Sequence, residues 1–399
     1  MKNKNKKIIY FLVFFLALSA AFPAYIRSSF LEEFAKAENV GFFFMAGAGL
    51  TLLLMNLVPL IIKRFTNFVF SLVILIIEIG SIFILINTQS KIVAFISFTV
   101  IYACVCLLTT SLDIFLERFT SNRNTGRVRS IYFTILDSAW VISPIIVGYI
   151  MGSDNYRLIY KITIFFLMAM FIIIFSQKKV LFTRKVHYDH HHSLKTLKTI
   201  LKNSRLKDIF FISFVLEIFF SVVTIYMPLY LSQNLGYSWT VIGAIFTFML
   251  LPFVIFQIPA GIFADRRQGE RKMIFFGFLI LSVSTLLFFF TGQANPIIWA
   301  LILFLSRSGA ALVQSMRESY FFKCVDVEDI DYINFFRNLK PLGFLFGSLI
   351  GIIVLNLLII EYIFIILSII LFLSLIVVWQ LKAPRDQYLH KKMPPLQKP

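Results

Sequence analysis

Long apolar runs separated by short polar segments follow one another along the chain to about residue 381. Because a hydrocarbon core about 30 Å thick needs roughly 20 apolar helical residues to cross it, each run predicts one membrane span. The pattern therefore predicts an all-α membrane protein. Its twelve transmembrane helices lie at about 8–26, 40–62, 66–87, 91–112, 130–151, 157–176, 208–232, 239–264, 272–291, 295–317, 332–356 and 360–381.

A polar segment in the middle of the chain separates two similar sets of six spans. When the first set is laid on the second, Pro59 corresponds to Pro259 and Gly148 to Gly351. Repeated halves of a helical transporter form a substrate site where they meet. We predict an N-terminal six-helix bundle, a cytoplasmic central loop, a C-terminal six-helix bundle and a cytoplasmic tail at residues 1–176, 177–207, 208–381 and 382–399.

The composition excludes a soluble globular protein. Of the 399 residues, 59% are hydrophobic and 15% are charged, whereas an average soluble domain has roughly 45–50% and about 25%. Lys and Arg total 38 against 20 Asp and Glu, a net charge of +18. Such a balance also suits nucleic-acid binding, but 30 of these 38 basic residues lie in segments on one side of the predicted spans, against five on the other. By the positive-inside rule we predict a multi-pass protein of the cytoplasmic (inner) membrane, with both termini in the cytoplasm and no nucleic-acid partner.

The first span also has the layout of a secretory signal peptide. Basic residues at 2–7 precede an apolar stretch, and small residues follow from Ala17. Cleavage there would leave eleven spans and would break the division into six and six. We therefore expect this segment to remain as the first span.

The polar segment between spans 8 and 9 carries a motif. It reads GIFADRRQGERK over residues 261–272. This resembles the signature loop of the major facilitator superfamily, roughly G-x-x-x-D-R-x-G-R-R/K, with one extra residue between Asp265 and Gly269. The equivalent segment of the first half, around Lys63, lacks both the Gly and the Asp. Two shorter segments are similar to motifs of the family's antiporters and drug transporters, SPIIVG at 143–148 and RSGAA at 307–311.

The resemblance covers nearly the whole chain and implies two pseudo-symmetric six-helix bundles. It also implies a secondary active transporter, not an enzyme, that moves a small organic solute by alternating access. The motifs in spans 5 and 10 favour proton-coupled export and a drug- or solute-exporter branch. The alternative is a membrane protein of the same fold that acts as a receptor, an assembly factor or a lipid-handling protein without solute flux.

The motif loop has a chemistry that can connect the two halves. Asp265, at the cytoplasmic end of a helix, can face the N-terminus of span 5, where unpaired amides carry partial positive charge. Such a contact would favour the outward-facing state, whereas the alternative is a charge cluster that only sets topology. The predicted conformational latch comprises Gly261, Asp265, Arg266, Gly269, Arg271 and Lys272 with Arg127 and Arg129.

Ionisable residues inside the predicted spans are few, and each costs at least about 2.5–3.5 kcal/mol at mid-bilayer. Glu217 in span 7 and Arg307 in span 10 fall on helices that line the cavity in a fold like this family's. We predict that they form a pair which a substrate or a proton opens; a purely structural pair is the alternative. Glu78 falls on span 3, a buttress helix in that fold, so either it turns inward or the assignment of that helix is wrong.

Two basic residues of span 11 form a second candidate group. Arg337 and Lys340 are three residues apart and so share a helix face, and Lys340 corresponds to Asp137 of the first half. We predict that they meet Asp137, unless they lie close enough to the cytoplasm to be solvated. A desolvated carboxylate can bind and release a proton, and the histidines all lie outside the predicted spans. Glu217 first and Asp137 second are therefore the predicted coupling residues.

Aromatic and amide side chains on the lining helices predict a mixed aromatic and polar cavity. Each one, taken alone, is more often a packing residue or an interfacial anchor than a ligand. Beside the charged residues Glu217, Arg307, Asp137, Arg337 and Lys340, the predicted cavity wall comprises Tyr25, Asn56, Tyr226, Tyr230, Gln257 and Gln314.

The central loop carries a histidine cluster from His187 to His192. Adjacent imidazoles on a loop form a loose chelate, so we favour a solvated polar run and leave metal binding open. We expect a monomer in the lipid bilayer that uses no metal and no cofactor. Its expected partners are a small-molecule substrate and protons.

Overall fold

The computed structural model describes residues 2–119, 125–153, 155–182, 193–267, 269–293, 295–325 and 330–382. Within these ranges the regular secondary structure is entirely helical. The α-helices are α1 (Lys2–Ala24), α2 (Arg27–Leu31), α3 (Ala37–Asn87), α4 (Lys91–Phe119), α5 (Thr125–Ile150), α6 (Tyr156–Ser176), α7 (Lys178–Leu181), α8 (Ser193–Lys202), α9 (Ser204–Leu229), α10 (Trp239–Arg267), α11 (Glu270–Thr291), α12 (Pro296–Cys324), α13 (Ile330–Arg337), α14 (Leu339–Leu357) and α15 (Glu361–Gln380). A 3₁₀ turn, Met151–Ser153, follows α5, and a π-helical turn, Tyr230–Asn234, follows α9.

The described helices are those of a polytopic membrane protein. Eleven segments are long and apolar enough to cross a membrane, and the apolar part of α5, Thr134–Ile150, is shorter. Large apolar side chains such as Leu53, Phe83 and Ile92 are more than half exposed on the outside of the bundle. Such a surface suits lipid, because helices satisfy their own backbone polar groups. The predicted twelve-helix membrane fold is confirmed.

α3 contains two of the predicted spans, joined without a loop. Its backbone leaves helical geometry at Thr66, where φ is 70° and ψ is 150°. Close to the end of α3, the carbonyl oxygen of Ile86 accepts a hydrogen bond of 3.1 Å from Arg157, which also pairs with Glu33, just before α3 begins. The two ends of α3 therefore lie together, and the chain reverses at Thr66. Positive φ is uncommon outside glycine and strained for a β-branched residue.

The bundle has two ends, which we name by the connections they carry. The distal end carries the connections between α1 and α3, α3 and α4, α5 and α6, α9 and α10, α11 and α12, and α14 and α15. Gln293 donates a hydrogen bond of 3.2 Å to the carbonyl oxygen of Asn234 there. The proximal end carries the start of α1 and the end of α15, where Arg271 of α11 donates to the carbonyl oxygen of Trp379.

Helices α1–α6 form one half of the protein, and α9–α15 form the other. In the first half α1 packs against α5 and α6, and in the second α11 packs against α12 and α15. The halves meet along two seams, α5 with α10 and α3 with α14. A substrate site between the halves would therefore lie between these two seams.

Glycines bring the two halves into backbone contact at the distal part of both seams. A Cβ atom added to Gly148 of α5 would lie 2.9 Å from the Cα atom of Gly243 of α10. A Cβ atom added to Gly41 of α3 would lie 2.6 Å from the hydroxyl oxygen of Tyr226 and 3.0 Å from the carbonyl oxygen of Ser348 of α14. Since Cβ atoms do not approach other atoms so closely, these positions require glycine. The distal ends of the halves are thus held in contact.

The end of α12 differs from the prediction. The sequence pattern ends span 10 at residue 317, but α12 continues through Cys324. The aromatic residues at 320–322 explain the extension, because two of them, Tyr320 and Phe321, are fully buried. Arg317 is therefore a buried residue inside the bundle and not part of a cytoplasmic loop.

The predicted span at 332–356 also differs, because it is interrupted near its start. α13 ends at Arg337, and α14 begins after a break of one residue. Pro341 explains the break: it has no N–H group with which to donate to the carbonyl oxygen of Arg337, four residues earlier. As a result, Arg337 and Lys340 lie on different helices.

Candidate substrate and coupling site between the two halves

Arg307 is a buried cation in the middle of α12. It is 2% exposed, and its Cζ atom lies 5.2 Å from the ring centroid of Phe219 and 5.3 Å from that of Phe220, both on α9. Its Nε atom has no hydrogen-bond partner among the described residues. In the same part of the chain, no carboxylate lies within ion-pairing distance of its guanidinium. Two phenyl rings thus provide the local stabilisation of this charge.

Aromatic residues from both halves meet beside Arg307. Tyr25, which follows α1 in the first half, interacts electrostatically with Arg307 of the second half. The ring of Tyr25 lies 4.7 Å from that of Phe246 on α10 and 6.3 Å from that of Trp140 on α5, measured between centroids. Among the predicted wall residues whose side chains the structure describes, Tyr25 is the one that interacts with Arg307 in this way. The cation therefore faces an aromatic interface between the halves.

Glu217 pairs with Arg317 and not with Arg307, so the predicted pair is wrong. The Nη2 atom of Arg317 lies 2.6 Å from Oε1 of Glu217, and both side chains are 8% exposed. Its Nη1 atom donates a hydrogen bond of 3.2 Å to the carbonyl oxygen of Ser213. Arg317 lies ten residues, or about 15 Å of helix, beyond Arg307 towards the proximal end. The prediction placed Arg317 at the end of span 10, but α12 continues past it to Cys324. Arg317 therefore lies inside the bundle, where it pairs with Glu217.

The backbone of α14 packs directly on this ion pair. A Cβ atom added to Gly343 would collide with the Cβ atom of Glu217 and would lie 2.7 Å from its carbonyl carbon. One turn later, a Cβ atom added to Gly347 would lie 2.6 Å from Oγ of Ser221. The guanidinium of Arg317 also lies 5.7 Å from the ring centroid of Phe336 on α13. The pair thus joins α9 and α12 at a place where α14 has no room to shift independently.

The two basic residues predicted on one face of span 11 differ in exposure and in their partners. The Nη2 atom of Arg337 lies 3.7 Å from Oδ2 of Asp113 on α4, so this contact crosses between the halves near the proximal end. Lys340 is exposed and forms no ion pair with a described residue. Their predicted shared face stays a prediction, because the backbone at Asn338 between them keeps helical angles, with φ of −68° and ψ of −12°. Asp137 is half-buried on α5, and its role stays a prediction.

Glu78 turns into the first half and away from lipid, which is the first of the two alternatives. It is 1% exposed, and its Oε2 atom has no hydrogen-bond partner among the described residues. The cation that interacts with it electrostatically is Arg27, at the start of α2. Glu78 is therefore a second buried carboxylate, in the half opposite Glu217.

The predicted tyrosine and amide residues are not gathered at one cavity. The hydroxyl of Tyr226 donates a hydrogen bond of 3.0 Å to the carbonyl oxygen of Ser348. Tyr230 packs within the second half, 5.5 Å from the rings of Trp299 and Phe364. Asn56 is exposed and donates to the carbonyl oxygen of its own helix at Leu52 (2.8 Å), and Gln314 is half-buried on α12. The side chain of Gln257 lies outside the described side chains.

Only part of the predicted latch can be described. Arg271 lies over the ring of Trp379, 5.6 Å from its centroid, and so joins α11 to α15 within one half. Glu270, inside the motif, is fully buried and pairs with Lys323 of α12. Gly269 precedes α11, and Lys272 is exposed. The side chains of Asp265, Arg266, Arg127 and Arg129, the surroundings of Gly261 and the histidines from His187 to His192 lie outside the described part.

A further contact between the halves lies at the distal end. The side-chain amide of Gln233, in the π-helical turn, donates to the carboxylate of Glu32, in the connection after α2. Burial raises the pKa of Glu32 to about 7, against a smaller opposing effect of Gln233. A cavity of about 530 Å³ lies beside them, lined by Ser29, Glu32, Met151, Gly152, Tyr156, Ser232, Gln233, Tyr237, Ser238 and Trp239. The sequence pattern gave no signal for this contact.

These features define a class of protein: a polytopic helical membrane protein of two packed bundles with buried charges between and within them. A family model described as Major Facilitator Superfamily matches residues 7–316 and 209–398. The chain therefore belongs to the Major Facilitator Superfamily and is a multi-pass membrane transporter. A search of curated proteins found no match.

Proposed function

We propose that this protein exports a small organic solute across the cytoplasmic membrane by alternating access, coupled to protons. The observation that supports it is a buried cation, Arg307, beside an interface between halves that are in contact at their distal ends. Alternating access needs a site between two bodies that part on each side in turn. The positive-inside rule favours a cytoplasmic proximal end with both termini, so that the closed distal end faces outward.

The coupling step that we propose is protonation of Glu217. A proton on Glu217 removes the negative charge that compensates Arg317, and an uncompensated buried cation destabilises this packing. Because Gly343 places the backbone of α14 against Glu217, the change acts on a helix that forms a seam with α3. Protonation thus favours the state in which the distal ends are apart.

The motif loop supplies the opposing control in this proposal. In the outward-facing state that we propose, Asp265 pairs with Arg127 and Arg129 at the start of α5, and this contact is the latch. An Asp265→Asn variant is expected to lower the outward-facing fraction. An unchanged fraction in that variant would remove the latch from the proposal but would leave alternating access in place.

The experiment measures distances between spin labels by pulsed electron resonance, with the protein in lipid nanodiscs and its three cysteines replaced by serine. One pair of labels, at the exposed residues Lys36 and Leu358, reports the distal end. A second pair, at Lys63 and Lys202, reports the proximal end. We expect two distances at each pair, with populations that change in opposite directions.

Glu217→Gln imitates the protonated carboxylate and is expected to increase the population with separated distal ends. The matched control is Glu318→Gln, which removes a half-buried carboxylate next to Arg317 that forms no ion pair with a described residue. An equal shift in both variants would argue against Glu217 as the coupling residue. A single distance at both ends under every condition would favour a receptor, an assembly factor or a lipid-handling protein.

A further inference from the structure

Arg307 differs from an ordinary buried arginine because nothing described in the protein neutralises it. A guanidinium offers five N–H donors in a fixed planar fork. Here the Nε donor has no described partner, and the guanidinium lies beside the two rings of α9. Ring faces offset part of the cost of a buried cation but provide no hydrogen-bond acceptor.

The buried carboxylate of α9, Glu217, already forms an ion pair with another arginine. Glu217 pairs with Arg317, and Arg317 also has the carbonyl oxygen of Ser213 as an acceptor. An anion that pairs with Arg307 must therefore come from outside the described residues, for example from a bound ligand. Arg317 therefore has an anionic partner within the protein, whereas Arg307 has none among the described residues.

The surroundings of Arg307 indicate the rest of such a ligand. Phe219 and Phe220 of one half lie beside the charge, and Tyr25 of the other half interacts with it electrostatically. Trp140 and Phe246 lie next to Tyr25. Aromatic side chains favour an apolar, planar body that can pack against their faces and edges. Because both halves contribute, a ligand here would contact each of the two bodies that move.

We propose that Arg307 binds the negative group of the transported solute, and that this solute is an organic carboxylate with an aromatic body. The proposal rests on the proposed function, since it names the substrate class of the same site. A carboxylate accepts two parallel hydrogen bonds from the guanidinium fork. A lysine would provide a point charge without that geometry.

The test is binding to purified protein, measured as a shift in thermal unfolding. The anionic probes are benzoate, 2-naphthoate and 4-phenylbenzoate, and the matched neutral and cationic probes are benzamide and benzylamine. Inorganic phosphate reports whether the anion alone is recognised. We expect at least one aromatic carboxylate to raise the unfolding temperature, and the amide, the amine and phosphate to have no effect.

Substitutions of arginine residues then test whether the carboxylate-induced shift in unfolding temperature depends on Arg307. We expect Arg307→Gln to abolish the carboxylate shift and Arg307→Lys to weaken binding by about tenfold. The matched control is Arg64→Gln, since Arg64 also lies over a phenyl ring, that of Phe65 at 5.4 Å, but is exposed. This control is expected to bind like the unchanged protein. If Arg307→Gln does not fold, the comparison of Arg307→Lys with Arg64→Gln still decides.

Several results would overturn the proposal. These are no shift with any of the three carboxylates, an equal shift with benzamide, or carboxylate binding that survives Arg307→Gln. An equal shift in unfolding temperature with phosphate would contradict the inference that the ligand has an aromatic body. Failure of this proposal is distinct from failure of the proposed function. Two spin-label distances without carboxylate binding would reject only the substrate site. Carboxylate binding with a single spin-label distance would reject alternating access.

Discussion

Arg307 and Arg317 lie on the same helix, α12, and both are buried, at 2% and 7% exposed. Both also lie over phenyl rings on neighbouring helices. They differ in their partners: Arg317 has a carboxylate at 2.6 Å and a backbone carbonyl at 3.2 Å, whereas no described carboxylate pairs with Arg307. Burial alone therefore does not distinguish a charged residue with a structural role from one that binds a ligand.

The difference has an energetic consequence. Removing one member of a buried ion pair leaves an uncompensated charge, which is strongly destabilising, whereas replacing both members by apolar residues is often neutral. Removing a cation that has no partner leaves nothing uncompensated. The two arginines should therefore respond in opposite ways to the same substitution.

The largest expected effect is at the ion pair. Glu217→Leu leaves Arg317 buried and unpaired and is expected to lower the free energy of unfolding by about 3–5 kcal/mol. The double variant Glu217→Leu with Arg317→Met is expected to recover most of that loss. Thermal unfolding in detergent measures both, and a single variant as stable as the double one would contradict a stabilising pair.

The next effect tests the packing around the pair. Gly343→Ala places a methyl group against Glu217 and is expected to cost about 1–3 kcal/mol by overpacking. Gly80→Ala on α3 is the matched control, because a Cβ atom there has no neighbour within 4 Å. Since alanine favours a helix over glycine, the control is expected to be neutral or slightly stabilising. Equal effects of the two changes would show that α14 does not press on the pair.

Substitution of Arg307 is expected to change the stability less than substitution of Arg317, and in the opposite direction. Arg307→Met keeps an apolar stem of similar length and removes an unpaired buried charge, so stability is expected to change by less than about 1 kcal/mol or to increase. Arg317→Met alone, by contrast, leaves Glu217 unpaired and should be destabilising. A loss at Arg307 as large as that at Arg317 would mean that Arg307 has a protein anion as its partner.

The fold was predictable from the sequence because the membrane thickness sets the length of each apolar run. The pairing of Glu217 was not, because it depends on where α12 ends and on how three helices are rotated about their axes. One readable signal was missed: the aromatic run at 320–322 extends the helix beyond Arg317. The chain reversal near Thr66 was predicted by the polar residues Lys63 and Arg64 between two apolar runs, but the absence of a loop was not, since no glycine or proline lies at the turn.

The contacts of the distal end depend on geometry that periodicity does not report. Gln233 lies in a π-helical turn, where the side chains no longer follow the α-helical period. Its direction towards Glu32 therefore cannot be obtained by counting residues from α9. Buried glycines such as Gly148 were visible in the sequence as part of a motif, but their partner Gly243 was not.

The smallest expected effect extends the comparison to carboxylates: Glu217 has a charged partner, whereas Glu32 has an uncharged one, Gln233. Burial raises the pKa of Glu32 from its ordinary 4.5 to about 7 when the distal ends are in contact. Below pH 4.5 the carboxyl is neutral in both states, so ionisation does not affect the contact. Between 4.5 and about 7 the separated form ionises while the closed form keeps its proton, so the contact weakens as pH rises and changes no further above 7. In the Glu217→Gln variant, where the proposed protonation of Glu217 no longer contributes, spin labels at Lys36 and Leu358 should show more separated molecules at pH 8 than at pH 5. Glu32→Gln should remove that dependence, and a dependence unchanged in this variant would assign it to another group.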